Sequence, residues 1–288
     1  MGMPKDIKII DTMLGIPEAE DRKDWYTWFR PLIRDAQSLK EFEMPAQYMF
    51  KDIPQTGHQD DFLKWTVEQM DKHNIEQAVV GWNEGGSCER AKELYPERFH
   101  FELSCNPYLG MEEVRRIKRI HADVGLKAIT VFPAGTFPQV PIDHKYMFPL
   151  YACAEELGIA ITLNVGVPGP RIPMMTQKVE LLEEICWFFP GLTVVMRHGA
   201  EPWDALAVKL MLKWPNLYYS TSAFAPKHYP KSIINFANTR GADKILYAGY
   251  FPMGLSLDRI MSDMENVPFK DDVWPRFLRE NAIKAFKL

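Results

Sequence analysis

Leu192-Thr-Val-Val-Met-Arg-His198, closed by Gly199, decides how this chain is read. The run is apolar and β-branched, follows the turn dipeptide Pro190-Gly191, and ends abruptly in two basic residues. A strand buried on both faces has this composition, and such strands belong to parallel sheets. Seven further runs share the character: Ile7–Met13, Ile75–Gly81, Phe99–Cys105, Leu126–Phe132, Ile159–Gly166, Leu217–Ala223 and Ile245–Gly249. From the second run onward their first residues lie 24 to 33 positions apart. That spacing holds a strand, a crossover helix and two loops.

Helical patterns fill the gaps. Val114, Ile117, Ile120 and Val124 keep a 3–4 spacing with Glu112, Arg115, Arg116 and Lys118 on the other face. Val179, Leu182, Ile185 and Phe189 repeat it, as do Leu206 and Leu210 before Pro215 stops the helix. Strand then helix, eight times over, predicts an α/β chain folded as a (β/α)8 TIM barrel in one domain over residues 1–288. A doubly wound open sheet is the competing arrangement. It advertises a glycine-rich first turn, and none follows Ile7–Met13.

One gap breaks the beat. The second run starts at Ile75, whereas the first starts at Ile7. Residues 17–60 therefore read as a long insertion after strand 1, with Trp25, Trp28, Phe29, Phe42, Met44, Tyr48 and Met49 among many charges. Its place in the order puts it on the C-terminal face, where barrel active sites are built. A lid or substrate-binding cover fits there, and so does a dimer surface.

Composition narrows the function. The 288 residues are 47% hydrophobic and 25% charged with a net charge of −4. That excludes disordered and fibrous classes and gives no footprint for nucleic acid or a polybasic membrane surface. No apolar run approaches the ~20 residues of a membrane span. The opening Met-Gly-Met-Pro-Lys-Asp has no signal core, and Asp6 stands where a myristoylation motif needs Ser or Thr. Cys88, Cys105, Cys153 and Cys186 keep no metal or redox spacing, and read as reduced, buried thiols of a cytoplasmic protein. The expected partner is a small molecule.

In this fold, chemistry comes from the C-terminal ends of strands. Those ends carry Asp11 and Met13, Asn83 and Glu84, Ser104 and Asn106, Asn164, Arg197 and His198, Ser220 and Ser222, and Tyr250. Asp11 and Met13 share parity, which predicts that both face the same side. His198 suits proton transfer near neutral pH. Arg171, in the loop after strand 5, can grip a carboxylate with two parallel bonds. Arg197 neighbours His198, so alternation turns it to the opposite face, as a structural arginine between barrel and helices. His58 and His228 lie on loops that could reach the pocket.

These residues resemble the amidohydrolase-related family that includes aminocarboxymuconate semialdehyde decarboxylase, γ-resorcylate decarboxylase and oxalomesaconate hydratase. Ile9-Ile-Asp11 is similar to its opening strand, Tyr95-Pro-Glu-Arg-Phe99 to its approach to strand 3, and Pro190 to Gly199 to its strand 6 signature. Trp214-Pro-Asn-Leu-Tyr-Tyr-Ser-Thr-Ser222 is similar to strand 7, and Leu278 to Leu288 to the terminal helix. The resemblance implies a metal-dependent-hydrolase-like barrel, usually homodimeric. It also implies a divalent metal held by Asp-x-His-x-His, a strand 5 histidine and a strand 8 aspartate. Here those ligand positions read Met13, Gly15, Asn164 and Tyr250. Met and Gly offer a hard ion nothing, and Asn is weak. His198 survives, at the place the family associates with proton transfer.

A zinc site needs about three protein ligands, so the family zinc is doubtful and no cofactor is expected. Chemistry that needs a proton carrier and an anion clamp stays open: decarboxylation, hydration of a conjugated alkene, cleavage or isomerisation of a β-dicarbonyl compound, or metal-free hydrolysis of a small organic acid or aromatic compound. In that reading His198 is the general acid/base, and Asp11 and Tyr250 are its catalytic partners. Asn164, Arg171, Met13, Glu84 and Ser222 bind substrate. Two alternatives stand beside it. One is a relocated metal site using Asp11, His198, Glu84 or a residue from the insertion. The other is a catalytically silent barrel that binds without turnover, its pocket plugged by Met13, Tyr250 and Phe251.

Overall fold

Every predicted run contains an observed strand. The computed structural model describes residues 2–18, 26–40, 44, 46–51 and 53–288. The strands are β1 (Ile9–Asp11), β2 (Ile75–Gly81), β3 (Phe99–Ser104), β4 (Ala128–Val131), β5 (Ala160–Asn164), β6 (Val194–Arg197), β7 (Leu217–Ser220) and β8 (Ile245–Leu246). They lie in chain order, and each pairs in parallel with the next. The first and last are joined just beyond their ends. The Thr12 N–H donates to Tyr247 O at 3.1 Å, the Gly15 N–H donates to Phe251 O at 2.8 Å, and Leu14 bridges Phe251 in parallel. The chain is a (β/α)8 barrel.

Local chemistry explains the helices. Met111–Val124 buries Val114, Ile117 and Ile120 and stops at Gly125, whose φ of 67° only glycine adopts cheaply. Asp204–Lys213 ends one residue before the Trp214-Pro215 pair, since the residue before proline disfavours the helical region. Helix Phe62–Lys72, capped by the Asp61 carboxylate on the Leu63 and Lys64 amides, leads into β2.

Side chains inside the barrel form layers. Ile10, Val79, Ala128, Ala160, Val195, Tyr218 and Leu246 make an apolar floor, closed from below by Ala282, Ala285 and Phe286 near the C-terminus. Above it the interior is polar. Arg197 Nη2 donates to Glu102 Oε2 at 2.7 Å and to Thr12 O at 3.3 Å, and Nη1 reaches Thr130 Oγ1 at 3.3 Å. Arg197 is structural, as expected, but it points into the barrel and not towards the helices.

Between β1 and helix Phe62–Lys72 lie a 3-10 helix at Thr27–Leu32, a short helix at Ala36–Lys40 and a turn at Gln47–Met49. Trp25 and Phe42 of the predicted insertion lie outside the described residues. Phe29 is buried and stacks on Phe132 beyond β4, with 5.8 Å between ring centroids. All four cysteines are free and buried. Among the described residues no helix is long and apolar enough to cross a membrane.

Candidate active site

A cavity of 690 Å³ opens at the C-terminal ends of the strands. Its floor is set by Met13 after β1, Asn164 ending β5, His198 after β6 and Tyr250 after β8, with Gln177 at one side. Phe29, Met44, Ala46, Met49, Phe50 and Lys51 cover it from the segment between β1 and β2, which thus supplies one wall. Phe251 does not line the cavity; it is buried against Trp65. Met13 and Tyr250 line the open cavity, so the plug that would mark a silent barrel is not formed among the described residues.

His198 reaches this floor because β6 does not continue as a strand. His198, Gly199 and Ala200 all have positive φ, at 64°, 90° and 59°. Three left-handed residues in a row cancel the alternation that would have opposed Arg197 and His198. Gly199 is required, since a Cβ there would lie 2.3 Å from the Phe224 ring. Tyr250 is also left-handed, at φ 60°, so both polar rings at the floor sit on costly backbone, a pattern concentrated at functional sites.

The imidazole is anchored from behind. Ser222 Oγ lies 3.2 Å from His198 Nδ1 and accepts the His198 backbone N–H at 3.2 Å. The serine hydroxyl can donate to Nδ1 or accept from it, so it holds the ring in either tautomer. That leaves the Nε2 edge for the cavity. Tyr250 packs edge-on to the ring at 5.4 Å, and Phe50 stacks on Tyr250 at 5.8 Å. Burial pushes the His198 pKa down to about 3, helped by the charge of Arg197. The ring is therefore uncharged in the free protein at neutral pH.

The other expected residues are dispersed. Ser222 is fully buried and touches the imidazole, not the cavity. Asp11 is also fully buried and outside the cavity. Its Oδ1 accepts the Met13 and Gly249 amides, both at 2.9 Å, which turns the chain after β1 and ends the shared parity with Met13. The Oδ2 atom lies beside Gly249, near Tyr247 OH and Ile260, under the junction of β1 and β8. Arg171 does not line the cavity. Its guanidinium pairs with Asp35 at 2.7 Å, reaches Gln37 at 3.1 Å and covers the Tyr48 ring at 4.5 Å, tying the β1–β2 segment to the β5 loop. Glu84 sits on the surface with Arg119 at 2.9 Å. His58 faces solvent beside Asp60, whereas His228 lines the cavity.

Sequence reading missed Lys51, Lys227 and Arg259, which bring three positive charges to the cavity wall, and Glu201, which brings one negative charge. They stand on loops or a helix start, where a lone charge looks like any solvated residue.

The family's metal can be tested against this site. A Cβ at Gly15 would lie 2.9 Å from Met253 Sδ and 3.3 Å from Pro252 Cδ, so neighbours fill the position of an expected ligand. Asp11, Glu84 and His198 do not converge, and the insertion's Glu20, Asp21, Asp24, Glu41, Glu43 and Asp52 lie outside the described residues. Among the described residues no group of three or more His, Cys, Asp or Glu could hold a metal ion. The donor set of the described residues does not fit a hard divalent cation.

Asp11 yields a separate prediction. Burial pushes its pKa up to about 7 despite the two backbone amides and Arg197. An unfolded aspartate titrates near ~3.9. The folded chain thus holds a proton that the unfolded chain releases between those values. The stability this gives is complete below about pH 4 and is lost as pH rises through about 7. Asp11→Asn keeps an oxygen for both amides and never ionises. Its melting temperature is expected to fall about 5 °C less than wild type between pH 5 and pH 8. Parallel melting curves for the two proteins would contradict this.

Comparison with known proteins agrees with the architecture. An uncharacterised TIM-barrel protein of Bordetella bronchiseptica superposes with TM-score 0.73 at 24% identity, over 98% of this chain and 99% of the other. The 5-carboxyvanillate decarboxylase of Novosphingobium aromaticivorans, solved with manganese and a nitrobenzoic acid, gives 0.70 at 16% identity over 99% and 98%. The 4-oxalomesaconate hydratase of Rhodopseudomonas palustris gives 0.63 at 14% identity over 97% and 95%. No curated protein matches the sequence. The amidohydrolase family model matches residues 95–288, from the approach to β3 through the C-terminal helix. On that match, together with the eight-stranded barrel, the chain belongs to the amidohydrolase family.

Proposed function

We propose that this chain is a metal-independent lyase of decarboxylase or hydratase type, acting on a small aromatic or conjugated organic acid, with His198 as its proton carrier. One observation carries the reading: an uncharged imidazole, anchored by Ser222, faces a largely apolar cavity that has three cations on its wall and, among the described residues, no divalent ligand set. An open, polar-floored cavity favours an enzyme over a silent barrel. Phe29, Met44, Ala46, Met49 and Phe50 act as its cover, and the similarity to aromatic-acid decarboxylases and a hydratase agrees in chemical class.

An imidazole that is neutral at rest enters the reaction as an acceptor. With Ser222 accepting from Nδ1–H, Nε2 offers its lone pair to the cavity. For a 2-hydroxy aromatic acid it takes the phenolic proton and returns it to the ring carbon that bears the carboxylate. The resulting β-keto acid loses CO2, and the C–C bonding pair moves to the oxygen as a phenolate, which solvent reprotonates. For a conjugated acid, Nε2 takes a proton from water as the C–O bond forms, then gives it to the adjacent carbon. Tyr250 and Asn164 hydrogen-bond the oxygen that gathers charge. Apolar walls strengthen those bonds by excluding water.

The test is a panel of hydroxybenzoates and conjugated diacids, assayed by CO2 release and absorbance before and after exhaustive chelation. Turnover within a factor of two of the untreated protein is expected. Loss of turnover on chelation, restored by added zinc or manganese, would refute the metal-independent reading.

A further inference from the structure

We infer that the cavity takes an elongated substrate whose far end carries a second oxyanion, held by Lys51, Lys227 and Arg259. This rests on the reading of His198 as the centre that receives the acid head. The volume is the first argument. At 690 Å³ the cavity lies well inside the roughly 300–1,000 Å³ range that encloses drug-sized ligands. A single ring with one carboxylate at His198 leaves much of it unfilled.

Charge placement is the second argument. Lys51 leaves the cover segment directly after Phe50, which packs on Tyr250. Arg259 Nη1 donates to Lys51 O at 2.8 Å, which fixes the two residues side by side. Helix Leu257–Met264, which carries Arg259, packs against the turn Pro226–His228, which carries Lys227. The three cations therefore gather where the cover segment, the β7 loop and the β8 loop meet. None of them makes an ion pair with a carboxylate among the described residues. Glu201 stands on the β6 loop, whose backbone carbonyl accepts the Val167 amide of the β5 loop, and makes no ion pair with the three cations among the described residues. The wall is thus positive on its β7–β8 side and negative on its β5–β6 side. Unpaired cations around a concave apolar site focus field onto one spot and attract an anion there.

Geometry orders the ligand. Its acid head meets His198, Asn164 and Tyr250 on the floor. Its apolar middle lies between Phe50, Phe132 and Phe224. Its second oxyanion, a carboxylate or a phosphate monoester, meets the cationic corner. Lys227 also borders His228, which adds a donor at the same edge.

Equilibrium binding tests this without any turnover, so failure of the catalytic reading and failure of this one are separable. The probes are 2-naphthoate, naphthalene-2,6-dicarboxylate and 6-phosphonooxy-2-naphthoate, titrated calorimetrically against the wild type and the Lys51→Gln/Lys227→Gln double variant. Both lysines are exposed, so the variant keeps the fold, and its melting temperature verifies that. Wild type is expected to bind at least one doubly charged probe tenfold or more tighter than 2-naphthoate. The preference should shrink several-fold in the variant and in 0.5 M salt. A stronger gain for the phosphate probe assigns the corner to phosphate monoesters; a stronger gain for the dicarboxylate assigns it to carboxylates. Equal binding of all three probes, or a preference that survives in the variant, overturns the inference.

Discussion

Replacing His198 by glutamine is expected to lower turnover by about 10²- to 10⁴-fold, the usual contribution of a positioned acid or base, while the protein remains folded. Glutamine matches the reach of imidazole and keeps one hydrogen bond to Ser222, but it cannot carry a proton. The backbone needs a second variant as a control. At φ 64° His198 sits in the left-handed region, which Asn tolerates better than most residues. His198→Asn therefore separates loss of chemistry from backbone strain. Both variants should lose turnover, and His198→Asn should keep the wild-type melting temperature at pH 7. Turnover within a factor of three of wild type in both would sink the assignment.

The pH profile sharpens this result. An imidazole pushed down to about 3 stays unprotonated from pH 8 down past pH 5. The free-enzyme profile, kcat/KM, is then expected to show no acid limb near 6.5. An anionic substrate shields Nε2 from solvent and favours its protonated form, so the limb seen in kcat should lie higher than that in kcat/KM. Stability follows with the opposite sign to that of Asp11. Between about pH 3 and the unfolded value near ~6.5, the unfolded chain binds the proton that the folded chain refuses. His198 is therefore stabilising above that window and costs stability as pH falls through it. The His198→Asn variant should flatten the acid side of the melting curve.

The barrel was legible because strand and helix periods are local. Val194 to Arg197 looks like a buried strand wherever it is placed, and Pro215 stops a helix without help from the rest of the fold. The position of His198 was legible for the same reason, since it ends such a run. Its orientation relative to Arg197 was not. Arg197 turns inward by ordinary alternation with Val195, and the three left-handed residues that follow redirect the chain so that His198 faces the cavity as well. Asp11 failed in a related way, because its own carboxylate turns the chain that parity assumed straight. The cationic corner was hidden for a different reason. Lys51, Lys227 and Arg259 come together only when the cover segment and two loops meet over the barrel mouth, and no sequence period encodes that meeting. Arg171 shows the reverse error: its type suited an anion clamp, but Asp35 already occupies it.

Removing the Glu102 carboxylate should be the most destabilising single change in the barrel interior. Glu102 and Arg197 are 5% and 3% exposed and meet at 2.7 Å. Thr162 Oγ1 donates to the same carboxylate oxygen at 3.3 Å. Glu102→Leu leaves a guanidinium among strands with only Thr12 O and Thr130 Oγ1 as neutral partners, and stranding a buried charge costs about 3–5 kcal/mol. Glu102→Gln should cost less, because the amide oxygen still accepts from Arg197. Adding Arg197→Met to Glu102→Leu is expected to recover most of the loss, since an apolar pair of similar volume can replace a buried ion pair at little net cost. The double variant also bears on the chemistry above it. The charge of Arg197 helps to hold the His198 pKa down, so its removal should raise the acid limb of kcat/KM even where stability returns. Denaturant unfolding measures the first effect, and the pH dependence of kcat/KM measures the second. A double variant as unstable as Glu102→Leu would mean that the pair is held by packing and not by charge. An unmoved acid limb would mean that burial alone keeps the imidazole neutral.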